Sequence, residues 1–295
     1  MSKFGDYVTI SKPRIMILLL VVAWAAMFVA EGGFPDLRAF LAVTAAGIFS
    51  TASSGAFNNV YERDKDAKMG RTADRPIPAG RLSVLEATLY GILMGVASFA
   101  VLYFPGYHLA AWLTLGAVAF YFVIYTILLK PTTPQNIVIG GFAGSFPALI
   151  GWAGATGTLA WPAWVLALIV FFWTPPHFWA LNVLYAKDYE AAAFPMMINA
   201  AGEESTKRQM FFYAGLTMLA SFALVPAGLG YLYMAAASYF GYRFVKECAD
   251  LAGDVPKPQV RKYFLYTIQY LGFLLLVLIL DVVLVAKWPV LGPFS

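Results

Sequence analysis

The sequence predicts an all-α polytopic membrane protein of nine transmembrane helices, with the N-terminus cytoplasmic and the C-terminus outside. Three observations lead there. The chain is 61% hydrophobic and only 12% charged, with a mean hydropathy of +0.71, whereas a soluble chain carries about 25% charged residues. Its apolar runs have the length of membrane helices rather than of barrel strands. Its basic residues fall almost wholly on one side of those runs. The net charge of +4 fits a basic cytoplasmic face opposite anionic headgroups, and nothing in it asks for nucleic acid.

The spans are read at 15–31, 37–57, 83–103, 108–129, 136–154, 162–184, 209–226, 229–246 and 263–286. Lys12-Pro13-Arg14 opens the first. The second runs out into Asn58-Asn59 and a long charged loop, 58–82. The next spans are joined by tight turns: Pro105-Gly106, then 130–135, then 156–161. Gly140, Gly141 and Gly144 in the fifth span let neighbouring helices approach closely. The sixth ends in Trp173-Thr174-Pro175-Pro176-His177, where two prolines remove backbone donors and should kink the helix. A second long inner loop, 185–208, follows. The segment 247–262 reads as an amphipathic or irregular connection. Asp281 lies inside the last span and must pair with another helix or face an internal space. The whole chain, 1–295, reads as one domain.

With the N-terminus inside, only Arg38 and Lys287 of the 20 Lys and Arg residues fall outside. The two long loops face the cytoplasm and the outer turns are short and bland, so the chemistry belongs on the cytoplasmic side. Residues 1–12 carry neither a cleavable signal nor an Arg- and Ser-rich transit segment, which points to a bacterial inner membrane. The single cysteine, Cys248, permits no internal disulfide and reads as a bystander thiol.

Two clusters carry chemistry. Asn58, Glu62 and Asp66 are spaced four apart, and each step of four advances about 40° around a helix, so all three share one face. A row of oxygen ligands suits a hard cation such as Mg²⁺. Arg63, Lys65, Lys68, Arg71 and Arg75 suit a polyphosphate. Asp64 points elsewhere and reads as solvated or supporting. Lys12, Arg14 and Lys130 lie at the same inner level. Each alone is an ordinary interfacial anchor; together they could line a diphosphate pocket. The second cluster is His177, a polar residue in an apolar and aromatic stretch, followed by Tyr185, Lys187 and Asp188. Imidazole could ligate a haem iron, bind a substrate or move a proton. The other histidine, His108, lies near an outer turn, where a structural or solvated role suffices. No Walker loop, Cys-x-x-Cys pair, dinucleotide-binding glycines or Gly-x-Ser-x-Gly elbow occurs.

At these residues the chain resembles the UbiA-type intramembrane prenyltransferases, and within them the branch that farnesylates haem. The resemblance covers nearly the whole chain. It rests on Lys12-Pro13-Arg14, on Asn58-Asn59 through Thr72, and on Arg75-Pro76-x-Pro78-Ala79-Gly80. It rests further on Thr133-Pro134-Gln135-Asn136, on Pro175-Pro176-His177-Phe178-Trp179 and on Lys187-Asp188-Tyr189. It implies nine helices around a central cavity. It implies farnesyl diphosphate as donor, haem b as acceptor rather than cofactor, and haem O as product. It also implies Mg²⁺ on Asn58, Glu62 and Asp66, with Asp188 as a further ligand. The diphosphate would meet Lys12, Arg14, Lys65, Arg71, Lys130 and Lys187, and the haem would meet His177 and Tyr185. A haem A synthase or a terminal oxidase would then receive the product. Two departures stand out. Glu62 occupies a position that is usually Asp, and the second, usually Asp-rich, motif keeps only Asp188.

Other readings remain open at this point. A quinone or another tetrapyrrole could be the acceptor. A transporter of haem or an anionic metabolite also uses broken helices and intramembrane polar groups, although the charges here gather on one side. A non-catalytic assembly role for a terminal oxidase is the fourth.

Overall fold

A computed structural model describes residues 2–285 and is helical throughout, with no strand among the described residues. A short helix α1, Lys3–Ile10, leads into α2, Pro13–Glu31. There follow α3, Leu37–Asp66, and α4, Val84–Tyr103. Next is α5, His108–Ala119, which continues as a wider π-wound stretch, Phe120–Leu129. The fifth span comprises α6, Asn136–Gly140, a 3₁₀ stretch, Gly141–Ser145, and α7, Phe146–Thr156. Then come α8, Trp161–Leu184, a short α9, Ala186–Ala191, and α10, Met197–Ala223. The described chain closes with α11, Tyr231–Ala249, and α12, Lys257–Leu284.

Eight of these helical stretches are long and apolar enough to cross a membrane. The predicted span at 229–246 corresponds to α11, a 19-residue helix packed between α10 and α12. Lys287 and the chain's C-terminus lie outside the described residues.

Neighbouring helices pack in a closed arrangement. α3 lies against α4, α2 against α7, and α8 against α10. α12 contacts both α8 and α2, so the last span returns to the first. Large side chains fill the half built from α8, α10, α11 and α12, where Trp179, Tyr233, Phe244, Tyr263 and Tyr270 are fully buried. Small ones, Ala23, Ala39, Ala42 and Ala46 among them, fill the half built from α2, α3, α5 and α7. The outside is apolar too. Leu85, Leu89, Ile92, Leu93 and Val96 form an exposed stripe on α4 at helical spacing. In water such a continuous patch would be a liability; in a bilayer it is the solvent-facing surface.

Several expectations are corrected. α3 extends to Asp66, nine residues past the predicted end, so the Asn58–Asp66 row is part of a continuous helix. The predicted loop 185–208 is largely helical: it holds α9 and the first turns of α10, with a break at Gly202 (φ 80°, ψ 170°). Most of 247–262 extends α11 and α12. Pro175 and Pro176, where the sequence suggested a kink, lie inside α8 without ending it. Gly140 serves packing: a Cβ there would lie 2.2 Å from the Tyr125 ring.

Asp281 finds its partner in α11. Its carboxylate accepts from the backbone N–H of Gly230 at 2.5 Å and of Tyr233 at 3.0 Å. Gly230 is the N-cap and has no side chain to do this. The fully buried carboxylate therefore caps the neighbouring helix, satisfying orphan donors and meeting the positive end of the helix dipole.

Candidate active site

The α3 row holds its predicted shared face, and each member is buried and engaged by a cation. Asn58, Glu62 and Asp66 are 2%, 3% and 0% exposed. Lys12 Nζ donates to Asn58 Oδ1 at 2.6 Å and to the Tyr121 hydroxyl at 3.2 Å. The Asn58 amide donates to Thr126 Oγ1 at 3.3 Å. Lys130 Nζ bridges both Glu62 oxygens at 2.6 Å. An Arg75 guanidinium nitrogen donates to Asp66 Oδ2 at 2.7 Å. The other oxygen, Asp66 Oδ1, is buried without a partner among the described residues. An unsatisfied buried carboxylate oxygen is costly in a low-dielectric site, and an arriving cation or donor would complete it.

Backbone geometry brings Lys12 to this row from 46 residues away. Lys12 joins α1 to α2 in the left-handed region (φ 55°, ψ 57°), which is uncommon for a residue with a Cβ. The elbow presses on α3 at Gly55, where a Cβ would lie 2.3 Å from the Ile10 carbonyl oxygen. Only glycine allows this approach. Burial, and after it the charge of Arg75, pushes the Lys12 ammonium down to about 7. An ammonium so poorly solvated favours an incoming anion.

A second layer of aromatic rings covers the cations. Lys65 Nζ lies 4.1 Å and Lys130 Nζ 4.6 Å from the centre of the Phe194 ring. Arg71 sits over the rings of Tyr185 and Tyr189 and donates to the Tyr189 hydroxyl at 3.2 Å. Met69 of the first loop packs with Tyr189, Ala192, Phe194 and Met196 of the second. The two long loops thus form one structure at one end of the bundle. Ala193, immediately before Phe194, also adopts a left-handed conformation (φ 52°).

Not every expected residue joins the cluster. Arg14 and Lys187 are exposed, and neither makes a side-chain hydrogen bond or ion pair among the described residues. Asp188 is half-buried on α9 and makes no side-chain hydrogen bond or ion pair to the α3 row among the described residues. Asp64 is exposed and lies 3.5 Å from Arg63, as its position on the helix predicts. Among the described residues no set of three His, Cys, Asp or Glu side chains is placed to hold a metal; the row offers two carboxylates and an amide oxygen. That set fits Mg²⁺, which is commonly held by one or two carboxylates together with substrate phosphates. Sequence reasoning missed Tyr121, Thr126 and Phe194, and named Tyr189 only within the Lys187-Asp188-Tyr189 string. Phe194 alone had a signal, a lone large aromatic in a small-residue run.

His177 stands apart, on α8 against α12. Its ring is stacked between Trp173, at 4.3 Å and 13° between planes, and Phe264, at 4.8 Å and 19°. Its Nδ1 is 2.6 Å from Thr267 Oγ1.

Comparisons place the fold and the family. The solved structure reported for digeranylgeranylglyceryl phosphate synthase in membranes superimposes with a TM-score of 0.77, covering 96% of this chain and 99% of that one at 15% identity. A UbiA homologue from Archaeoglobus fulgidus, bound to DMAPP and Mg²⁺, superimposes with a TM-score of 0.62 over 92% of this chain and 99% of that one, at 16% identity. At these identities the likeness is one of fold. In sequence, the protoheme IX farnesyltransferase of Pseudarthrobacter chlorophenolicus is 41% identical over 99% of this chain and 91% of its own length. The UbiA prenyltransferase family model matches residues 18–270. The chain belongs to the UbiA prenyltransferase family.

Proposed function

We propose that this chain transfers the farnesyl group of farnesyl diphosphate to a vinyl group of haem b, with addition of water, to make haem O. The observation that carries the reading is the α3 row: Glu62 and Asp66 buried among Lys12, Lys65, Arg71, Arg75 and Lys130. A membrane protein gains nothing from burying so many charges unless a charged ligand shares them. Family membership and the 41% identical protoheme IX farnesyltransferase support the chemistry and the acceptor.

The reaction breaks the allylic C–O bond of the donor. The diphosphate leaves with that electron pair, and the haem vinyl adds to the allylic carbon. Water then adds to the carbocation next to the porphyrin and loses a proton. Lys12, Lys130, Arg71 and Arg75 would bind the diphosphate oxygens and stabilise charge as it develops on them. Lys12, Lys130 and Arg75 meet Asn58 Oδ1, both Glu62 oxygens and Asp66 Oδ2, so binding of Mg²⁺ and diphosphate would exchange those pairs for contacts to the ion and to phosphate oxygens. Asn58, Glu62 and Asp66 would hold Mg²⁺, with the unpartnered Asp66 Oδ1 as a natural ligand; the Archaeoglobus homologue bound to Mg²⁺ supports this. Once bound, the ion supplies charge neutralisation on the leaving group. The apolar tail would lie among the helices, and His177 would meet the haem.

The same reading includes α11 as the eighth of nine spans, the charged end facing the cytoplasm of a bacterial inner membrane, and a terminal oxidase or haem A synthase receiving the product. The positive-inside distribution supports the orientation.

The acceptor is tested by competition. Purified protein is given labelled farnesyl diphosphate, Mg²⁺, and haem b together with an aromatic quinone precursor. Label on the haem is expected. Label on the quinone precursor would assign the chain to a different acceptor. No transfer to either, with donor and haem both bound, would overturn the prenyltransferase reading.

A further inference from the structure

The Thr267 hydroxyl on α12 lies against the His177 ring on α8. The Thr267 hydroxyl has two close oxygen or nitrogen neighbours: the Phe264 carbonyl oxygen at 2.6 Å and His177 Nδ1 at 2.6 Å. A carbonyl oxygen only accepts, so the hydroxyl proton must point to Phe264. The hydroxyl oxygen is then the acceptor for His177, and Nδ1 carries the ring proton. The lone pair of the neutral imidazole is consequently on Nε2. Among the described residues Nε2 has no hydrogen-bond partner, and the ring keeps part of its surface accessible.

The stacking decides the direction of approach. Trp173 and Phe264 cover both faces of the imidazole. Trp173 is itself tied to α12, its indole N–H donating to the Thr267 carbonyl oxygen at 2.8 Å. A flat ligand therefore cannot stack on His177. The Nε2 edge is left without a hydrogen-bond partner among the described residues, and an edge-on lone pair is the geometry of an axial ligand to iron. Ligating histidines usually donate their second ring N–H to a fixed acceptor, which sets the tautomer and orientation.

We propose that Thr267 is a positioning residue that fixes His177 with its Nε2 lone pair open, so that His177 serves as axial ligand to the iron of the haem substrate. This deepens the haem-farnesylation reading and rests on it.

The test uses full-length protein in nanodiscs, titrated with ferric haem b and followed by absorption and electron paramagnetic resonance. Wild-type protein should give a histidine-ligated spectrum that His177→Ala lacks and added imidazole restores. Thr267→Val keeps the shape but removes the acceptor, and should weaken ligation by about 10–100-fold, as loss of such supporting partners does. Thr267→Ser should retain it. Farnesyl diphosphate binding should be the same in all of these variants, which separates ligand positioning from misfolding. Wild-type ligation in Thr267→Val would overturn the positioning role while leaving His177 as ligand. An unchanged spectrum in His177→Ala, or no histidine signature in wild type, would overturn the assignment of His177. Product mass analysis reports separately on whether haem is farnesylated at all.

Discussion

Asp66 and Asp64 lie two residues apart and have opposite surroundings. Asp66 is fully buried, held on one oxygen by Arg75 and free on the other. The Asp64 side chain is 82% exposed. Asp66→Asn is therefore expected to lower farnesyl transfer by at least about 100-fold, the scale at which a group stabilising transition-state charge acts. Asp64→Asn should leave it unchanged; similar losses in both would contradict the assignment. Phe194 makes a finer prediction. Its ring serves Lys65 and Lys130 together, and each such contact is worth about 0.5–2 kcal/mol. Phe194→Leu should raise KM for farnesyl diphosphate several-fold with a smaller change in kcat, because the lysines remain but are less well held. Steady-state kinetics with saturating haem decide this. The acidic row was legible from its spacing of four and its place at a span's end. The cations that meet it were legible only as a group. That Lys12 takes Asn58, Lys130 takes Glu62 and Arg75 takes Asp66 depends on contacts across 46, 68 and 9 residues, which no local pattern encodes.

Two helices are placed by single positions. Gly55 lets the α1–α2 elbow rest on α3. A Gly55→Ala methyl would meet the Ile10 carbonyl oxygen and must push the elbow away, at a cost of about 1–3 kcal/mol for overpacking. The expected result is a lower Tm together with a raised KM for farnesyl diphosphate, since Lys12 moves with the elbow. Gly272→Ala, with nothing within 4 Å of the new methyl, should be neutral and is the control. Asp281 anchors α11 from α12. Asp281→Ala removes the cap from a helix that has none of its own, and should lower stability by about 1–2 kcal/mol or more. Activity per folded molecule should be preserved. Thermal unfolding in a single detergent reads both variants, and an unchanged Tm in Asp281→Ala would show that the cap is dispensable. At this scale the sequence was partly readable. Apolar length located the spans, but the α3 extension to Asp66 and the helices inside 185–208 were hidden, because charged residues at a membrane exit read equally as helix or loop. Asp281 was visibly out of place in an apolar helix, yet its partner is a backbone terminus, which leaves no residue-type signal.

Across the whole molecule, charge and apolarity are sorted by position. Large apolar side chains such as those along α4 face outward, aromatic and small residues fill the interior, and the ionisable cluster gathers where α3, the π-wound end of the fourth span and the two loops meet. The bundle closes through α12 and α2. His177 offers a second, separate point of contact on α8. Under the proposed reading the charged cluster takes the diphosphate and His177 the haem, which gives each of two substrates its own place. The most direct test is mass analysis of haem extracted after incubating purified protein with haem b, farnesyl diphosphate and Mg²⁺. A mass gain of one farnesyl group plus water is expected, lost with EDTA and in Asp66→Asn. Unmodified haem under conditions where both substrates bind, or a gain that persists in both controls, would contradict it.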